Sequence, residues 1–135
     1  MRRERRPLAV ERGHEHLVEA EVAKLDAYLV RGGAVLVLVD PVALPVLEAW
    51  LSRRGLALRD DVVVDPANRA YGTDGTTVVV PFWREHDLTR SLDAAAVFAR
   101  ARSVALAGGG DEDRETGATV LARTAPGSFV AAGAA

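Results

Sequence analysis

Two aspartates stand where apolar runs stop. Residues 34–41 read AVLVLVDP and residues 61–66 read DVVVDP, so Asp40 and Asp65 each close a β-branched run and each precede a proline. In an open α/β sheet the carboxyl ends of parallel strands face the ligand crevice. Carboxylates placed there can hold Mg²⁺ or accept a phosphoryl group. Phosphoryl transfer also needs a clamp, a lysine or a glycine-rich loop opening a helix. The sole lysine, Lys24, comes before the first of the two runs. The competing reading is structural: proline removes a ladder donor and fixes φ, and aspartate caps the turn with its own carboxylate. Two function classes follow. One is a small α/β hydrolase or phosphotransferase using Asp40 and Asp65. The other, favoured by the missing clamp, is a non-enzymatic binding or scaffold domain in which both are strand terminators.

Further candidate binding residues lie in two loops. Asn68 and Arg69, in DPANRAYGTDG, could receive an anion. His86 and Arg90, in HDLTR, join them, although Arg90 could equally brace its loop through carbonyl groups. With Asp40 and Asp65 these residues make up the candidate binding set, and no catalytic residue is assigned. His14-Glu15-His16 resembles a ligand pair, but His86 is the only other histidine and Zn²⁺ takes three or four protein ligands. The acidic run from Asp111 fails as an EF-hand loop, with Thr116 where glycine is needed and Ala122 where the bidentate acid belongs. Gly108–Gly110 is not followed by the lysine of a P-loop, G-x-G-x-x-G is absent, and no serine sits in a G-x-S-x-G elbow. The expectation is no cofactor and no metal.

These residues need elements to position them. At 135 residues the chain is expected to be one domain with a sizeable core. Aromatics are 5% of it, so Val, Leu and Ala must build that core. A net charge of −2 gives no pull towards nucleic acid. Cysteine is absent, which excludes disulfides and thiolate chemistry. No apolar run reaches membrane-spanning length, and although MRRERRP is basic enough for a signal-peptide n-region, LAVERGHEHLVEAEV after it lacks the apolar core.

Val22, Leu25 and Leu29 recur at helical spacing, and Gly32-Gly33 ends the helix, predicted over 19–31. Ala34–Val39 shows no alternation, which predicts a strand covered on both faces, as in a parallel sheet. A second helix is predicted over 44–54, then strands at 62–64 and 76–80. Residues 96–106 are predicted as one strand with Arg100 and Arg102 on its wet face. A strand over 118–124 is predicted to pair with it as a C-terminal hairpin. The domain scheme is a charged, weakly ordered segment 1–18, an α/β domain 19–130 and a tail 131–135.

The order of EVAKLDAYLVRGGAVLVLVDP, DDVVVDPANRAYG, EHDLTRSL, VFARARSV and LARTAPGSF resembles the extracytoplasmic domain of gliding-motility-type ABC transporter auxiliary proteins, an uncharacterised ABC-type transport system family. The likeness runs from about Glu19 to Phe129. It implies a flavodoxin-like or amidotransferase-like sheet, here partial, with helices on its faces and no catalytic residues. It implies ABC permease and ATPase partners and a place on the extracytoplasmic face of the bacterial cell membrane. Asp87 replaces the proline that tends to follow the histidine in that family, and its flanking membrane helices and first sheet strands are lacking. The chain is thus expected to be a fragment or a shortened relative. An apolar strand without a neighbour would then make it a homo-oligomer, or else call for a partner that completes the sheet.

Overall fold

The computed structural model describes residues 8–11, by their backbone course, with 18–67 and 74–132. His14, His16, Asn68 and Arg69 lie outside them. The described chain is a mixed α/β fold. Its elements run β1 (Leu8–Glu11), α1 (Glu19–Val30), β2 (Val35–Leu38), α2 (Pro45–Ser52), β3 (Leu56–Leu58), β4 (Asp61–Val64), β5 (Thr77–Val80), β6 (Ala96–Ala99), β7 (Val104–Leu106), β8 (Glu112–Asp113), β9 (Ala118–Thr119) and β10 (Phe129–Ala132).

Both helices are framed as their sequences require. Val18 has no acceptor to cap α1, so Glu21 reaches back to the Val18 N–H at 3.3 Å. Glu19 and Glu21 also place negative charge in the first turn, where the helix dipole favours it. At the other end Gly32 takes φ +75° and the Gly33 N–H donates to the Tyr28 carbonyl at 3.0 Å. A Cβ on Gly33 would sit 2.2 Å from the Tyr28 ring, so this turn has room only for glycine unless the ring moves. Pro45 opens α2 at a position that needs no N–H.

The core lies between these helices and one face of β2. Val22 and Leu25 of α1 meet Leu44, Leu47, Trp50 and Leu51, and Val35, Val37 and Val39 pack on them from the strand side. Trp50 donates its indole N–H to Asp26 Oδ1 at 2.7 Å, and the Arg54 guanidinium carbon stands 4.1 Å from the ring centroid. Arg54 also pairs with Asp26. The indole hydrogen bond first, and the Arg54 charge after it, hold the Asp26 carboxyl below its ordinary value.

Strand β2 departs from expectation. It is covered on one face only: Val35 and Val37 turn inward, while Leu36 and Leu38 are 51% and 47% exposed. An uninterrupted apolar run carries no alternation from which to read this. β2 pairs in parallel with β1, Leu8 opposite Val35 through Glu11 opposite Leu38. This is the one parallel ladder among the described residues; β4 with β10, β3 with β7, β5 with β6 and β8 with β9 are antiparallel. A parallel sheet with helices on both faces is therefore replaced by small ladders, of which β2 and β3 pack one face against the α1–α2 core.

The segment 96–106 is two strands, not one. Arg100 takes φ +53° and breaks the run, so β6 pairs with β5 while β7 pairs with β3. Between them, Ala101 O accepts from Val63 N at 2.8 Å and Ser103 O from Arg59 N at 3.1 Å. β4 is thus bonded on both edges, by this segment and by β10. The C-terminal hairpin is correspondingly small: β9 pairs with β8, and residue 122 contributes only a bridge to Trp83. Residues 131–132, expected in a tail, belong to β10.

Candidate functional site

Asp65 is 2% exposed. Its Oδ1 accepts the Ala67 N–H at 3.0 Å, and its own N–H donates to the Gly75 carbonyl at 2.8 Å. This is an Asx turn: the carboxylate supplies an acceptor for the Ala67 N–H, while Pro66, which has no N–H, stops the ladder. Asp40, by contrast, is exposed, and its carbonyl accepts from Val42 N at 2.8 Å to close the turn after β2. The two residues share a sequence pattern and end in opposite environments.

His86 and Arg90 occupy one helical turn. The His86 carbonyl accepts from Thr89 N at 3.0 Å and Arg90 N at 2.9 Å, and its Nδ1 accepts from Leu88 N at 3.1 Å. Thr89 is buried, and its hydroxyl donates to the Arg84 carbonyl. Leu92 N donates to Thr89 O at 2.8 Å, and Trp83 Nε1 reaches Ala94 O at 3.0 Å. Residues 81–94 therefore close on themselves. They enclose an open concavity of about 310 Å³ whose wall includes Phe82, Trp83, Arg84, Arg90 and Leu92. His86 is not part of that wall.

The concavity joins apolar surface to fixed charge. Phe82 is 83% exposed. Arg84 pairs with Glu112, and Arg90 Nη1 stands 3.4 Å from Asp87 Oδ1. Aromatic surface flanked by guanidinium groups suits a polypeptide segment, which offers both apolar side chains and carboxylates or carbonyls. Among the described residues no group of three histidine, aspartate or glutamate side chains is placed to hold a metal ion.

Arg102 is the polar residue that sequence reasoning misplaced. Instead of lying on a wet strand face, it is buried. Its Nε donates to the Arg59 carbonyl at 2.8 Å, Nη1 to the Val42 carbonyl at 2.9 Å, and Nη2 stands 3.2 Å from Glu48 Oε1. Glu48 in turn accepts from Leu44 N at 3.3 Å. One guanidinium thus joins the turn after Asp40, the start of α2 and the β3–β4 turn. Nearby, Asp61 takes both the Ser103 N–H, at 2.8 Å, and the Ser103 hydroxyl, at 2.7 Å. Only the arginine's company in space reveals this role; its neighbours in sequence, Ala101 and Ser103, give no hint of burial.

No family model matches the chain, and no curated protein or solved structure matches it either.

Proposed function

We propose that this chain is a non-enzymatic binding or scaffold domain that works beside an ABC permease and ATPase in a transport or gliding-motility assembly, on the extracytoplasmic face of a bacterial membrane. The order of its sequence motifs supports that setting. The observation that carries the non-enzymatic reading is Asp65: its carboxylate is folded into its own turn, 2% exposed, with the Ala67 N–H on Oδ1. A carboxylate so engaged is withdrawn from substrate. Among the described residues no helix is long and apolar enough to cross a membrane. In this reading a partial flavodoxin-like or amidotransferase-like sheet is the ancestral form, and the short parallel β1–β2 ladder next to α1 and α2 is what supports it. The 81–94 concavity, with Phe82 at its rim, is the contact surface.

The test places a photo-crosslinking side chain at Phe82 in the full chain, expressed in its source bacterium. A crosslink to an ABC permease or ATPase component is the expected product. ATP and p-nitrophenyl phosphate are then supplied to the purified chain. Hydrolysis that disappears in Asp40→Asn or Asp65→Asn would replace this reading with an enzymatic one.

A further inference from the structure

Strand β2 has one edge on β1 and a second edge with no backbone partner among the described residues. Such an edge is a template for another strand unless charge, proline or a bulge blunts it. Ala34–Val39 carries neither charge nor proline. Its outer face also leaves Leu36 and Leu38 half exposed. An unpaired edge and an apolar face therefore coincide on four residues.

The sequence of that edge indicates what fits it. Val35–Val39 reads V-L-V-L-V, the same in both directions. A two-fold axis demands that when residue i meets j, j meets i. Antiparallel pairing of two copies centred on Val37 meets that demand side chain by side chain. Val37 faces Val37, Val35 faces Val39, and Leu36 faces Leu38 of the second copy. Residues directly opposite in an antiparallel ladder share a face, so the valines stay on the core side and the leucines of both copies meet on the outer side. The flanking residues agree. The first charge beyond the run, Asp40, faces Ala34 of the second copy and not another aspartate. Pro41 lacks the N–H to carry the ladder further.

We infer that the chain forms a two-fold dimer by joining β2 to β2 of a second copy, producing a four-stranded sheet in the order β1-β2-β2-β1. The two-fold axis, perpendicular to the sheet, keeps both helix layers on one face. This goes beyond the proposed role in an assembly and does not depend on it.

The register makes the dimer testable with paired charges on the full chain. In Leu36→Glu/Leu38→Glu, glutamates stand opposite each other twice. In Leu36→Lys/Leu38→Glu, each lysine stands opposite a glutamate of the second copy. Sedimentation equilibrium across a concentration series should show the wild type moving from monomer to dimer. The double glutamate variant should have a dissociation constant higher by about tenfold or more, a change the loss of two cross-strand pairs can produce. The lysine–glutamate variant should recover dimerisation, and lose it again in high salt. Both changes fall on half-exposed positions, and circular dichroism checks that each variant is folded. A wild type that stays monomeric at all concentrations, an association that survives two glutamates, or a lysine–glutamate variant that stays monomeric would each overturn the proposal. Capture of a strand from a different protein by a monomeric chain counts among the first of these.

Discussion

Strands β2 and β4 begin from nearly the same words, a valine-rich apolar run closed by Asp-Pro, and finish in different surroundings. β4 has a neighbour on each edge, and its Val63 and Val64 are buried. β2 has one neighbour among the described residues and buries alternate side chains. The aspartates follow their strands: Asp65 is enclosed and caps its turn, whereas Asp40 stays on the surface. The difference teaches that the run of apolar residues specifies a strand and its stop. The number of neighbours, which other segments supply, specifies what the terminal acid experiences.

The sharpest way to break this comparison is to remove what holds the two regions together. Arg102→Ala strips one guanidinium from Glu48 and from the Val42 and Arg59 carbonyls. Glu48 is a third exposed and keeps the Leu44 N–H, so the main loss is the two carbonyls left without their donor, about 1–3 kcal/mol. A urea midpoint that hardly moves would show that the arginine merely fills space. Next comes the contrast between the strands themselves. Val63→Ala should cost about 2 kcal/mol through lost burial and an unfilled space. Leu36→Ala, on the exposed face of β2, should cost under about 0.5 kcal/mol for the monomer. Equal losses in chemical denaturation would contradict the one-sided burial of β2.

The aspartates sharpen the comparison at smaller scale. Asp65→Ala removes the acceptor of the Ala67 N–H and should cost about 1–2 kcal/mol; Asp65→Asn, which keeps an amide oxygen there, should cost less. Asp40→Asn should stay within about 0.5 kcal/mol, as a surface change does. Thermal denaturation of the three variants side by side measures the order, and an Asp40 variant as damaged as Asp65→Ala would mean that the turn after β2 is also held by its carboxylate.

Much of the helical region was legible from spacing alone. Val22, Leu25 and Leu29 mark one face of α1, and Gly32-Gly33 marks its end, because helix periodicity and left-handed termination are local properties. The strand positions at 35–38, 61–64 and 77–80 were legible for a similar reason. Pairing was not. A ladder partner is fixed by distant chain, so neither the bonding of β4 on two edges nor the turn of the chain at Arg100 left a local mark. β10 lies in an Ala- and Gly-rich stretch whose composition reads as a tail; its partner β4 draws Phe129–Ala132 into a strand. Of the candidate residues, Arg90 was legible as a loop residue. The concavity itself depends on how 81–94 folds back, through Thr89 and Trp83, which no spacing rule expresses.

The chain's two tryptophans sit in the two kinds of place compared above. Trp50 is 2% exposed, its indole tied to Asp26 with Arg54 over the ring, whereas Trp83 forms part of the wall of an open concavity. Light therefore reads the core and the loop as separate channels. A collisional quencher in solution dims Trp83 and leaves Trp50 emitting. A Trp83→Phe chain reports on the helical core alone, and a Trp50→Phe chain on whatever settles against residues 81–94.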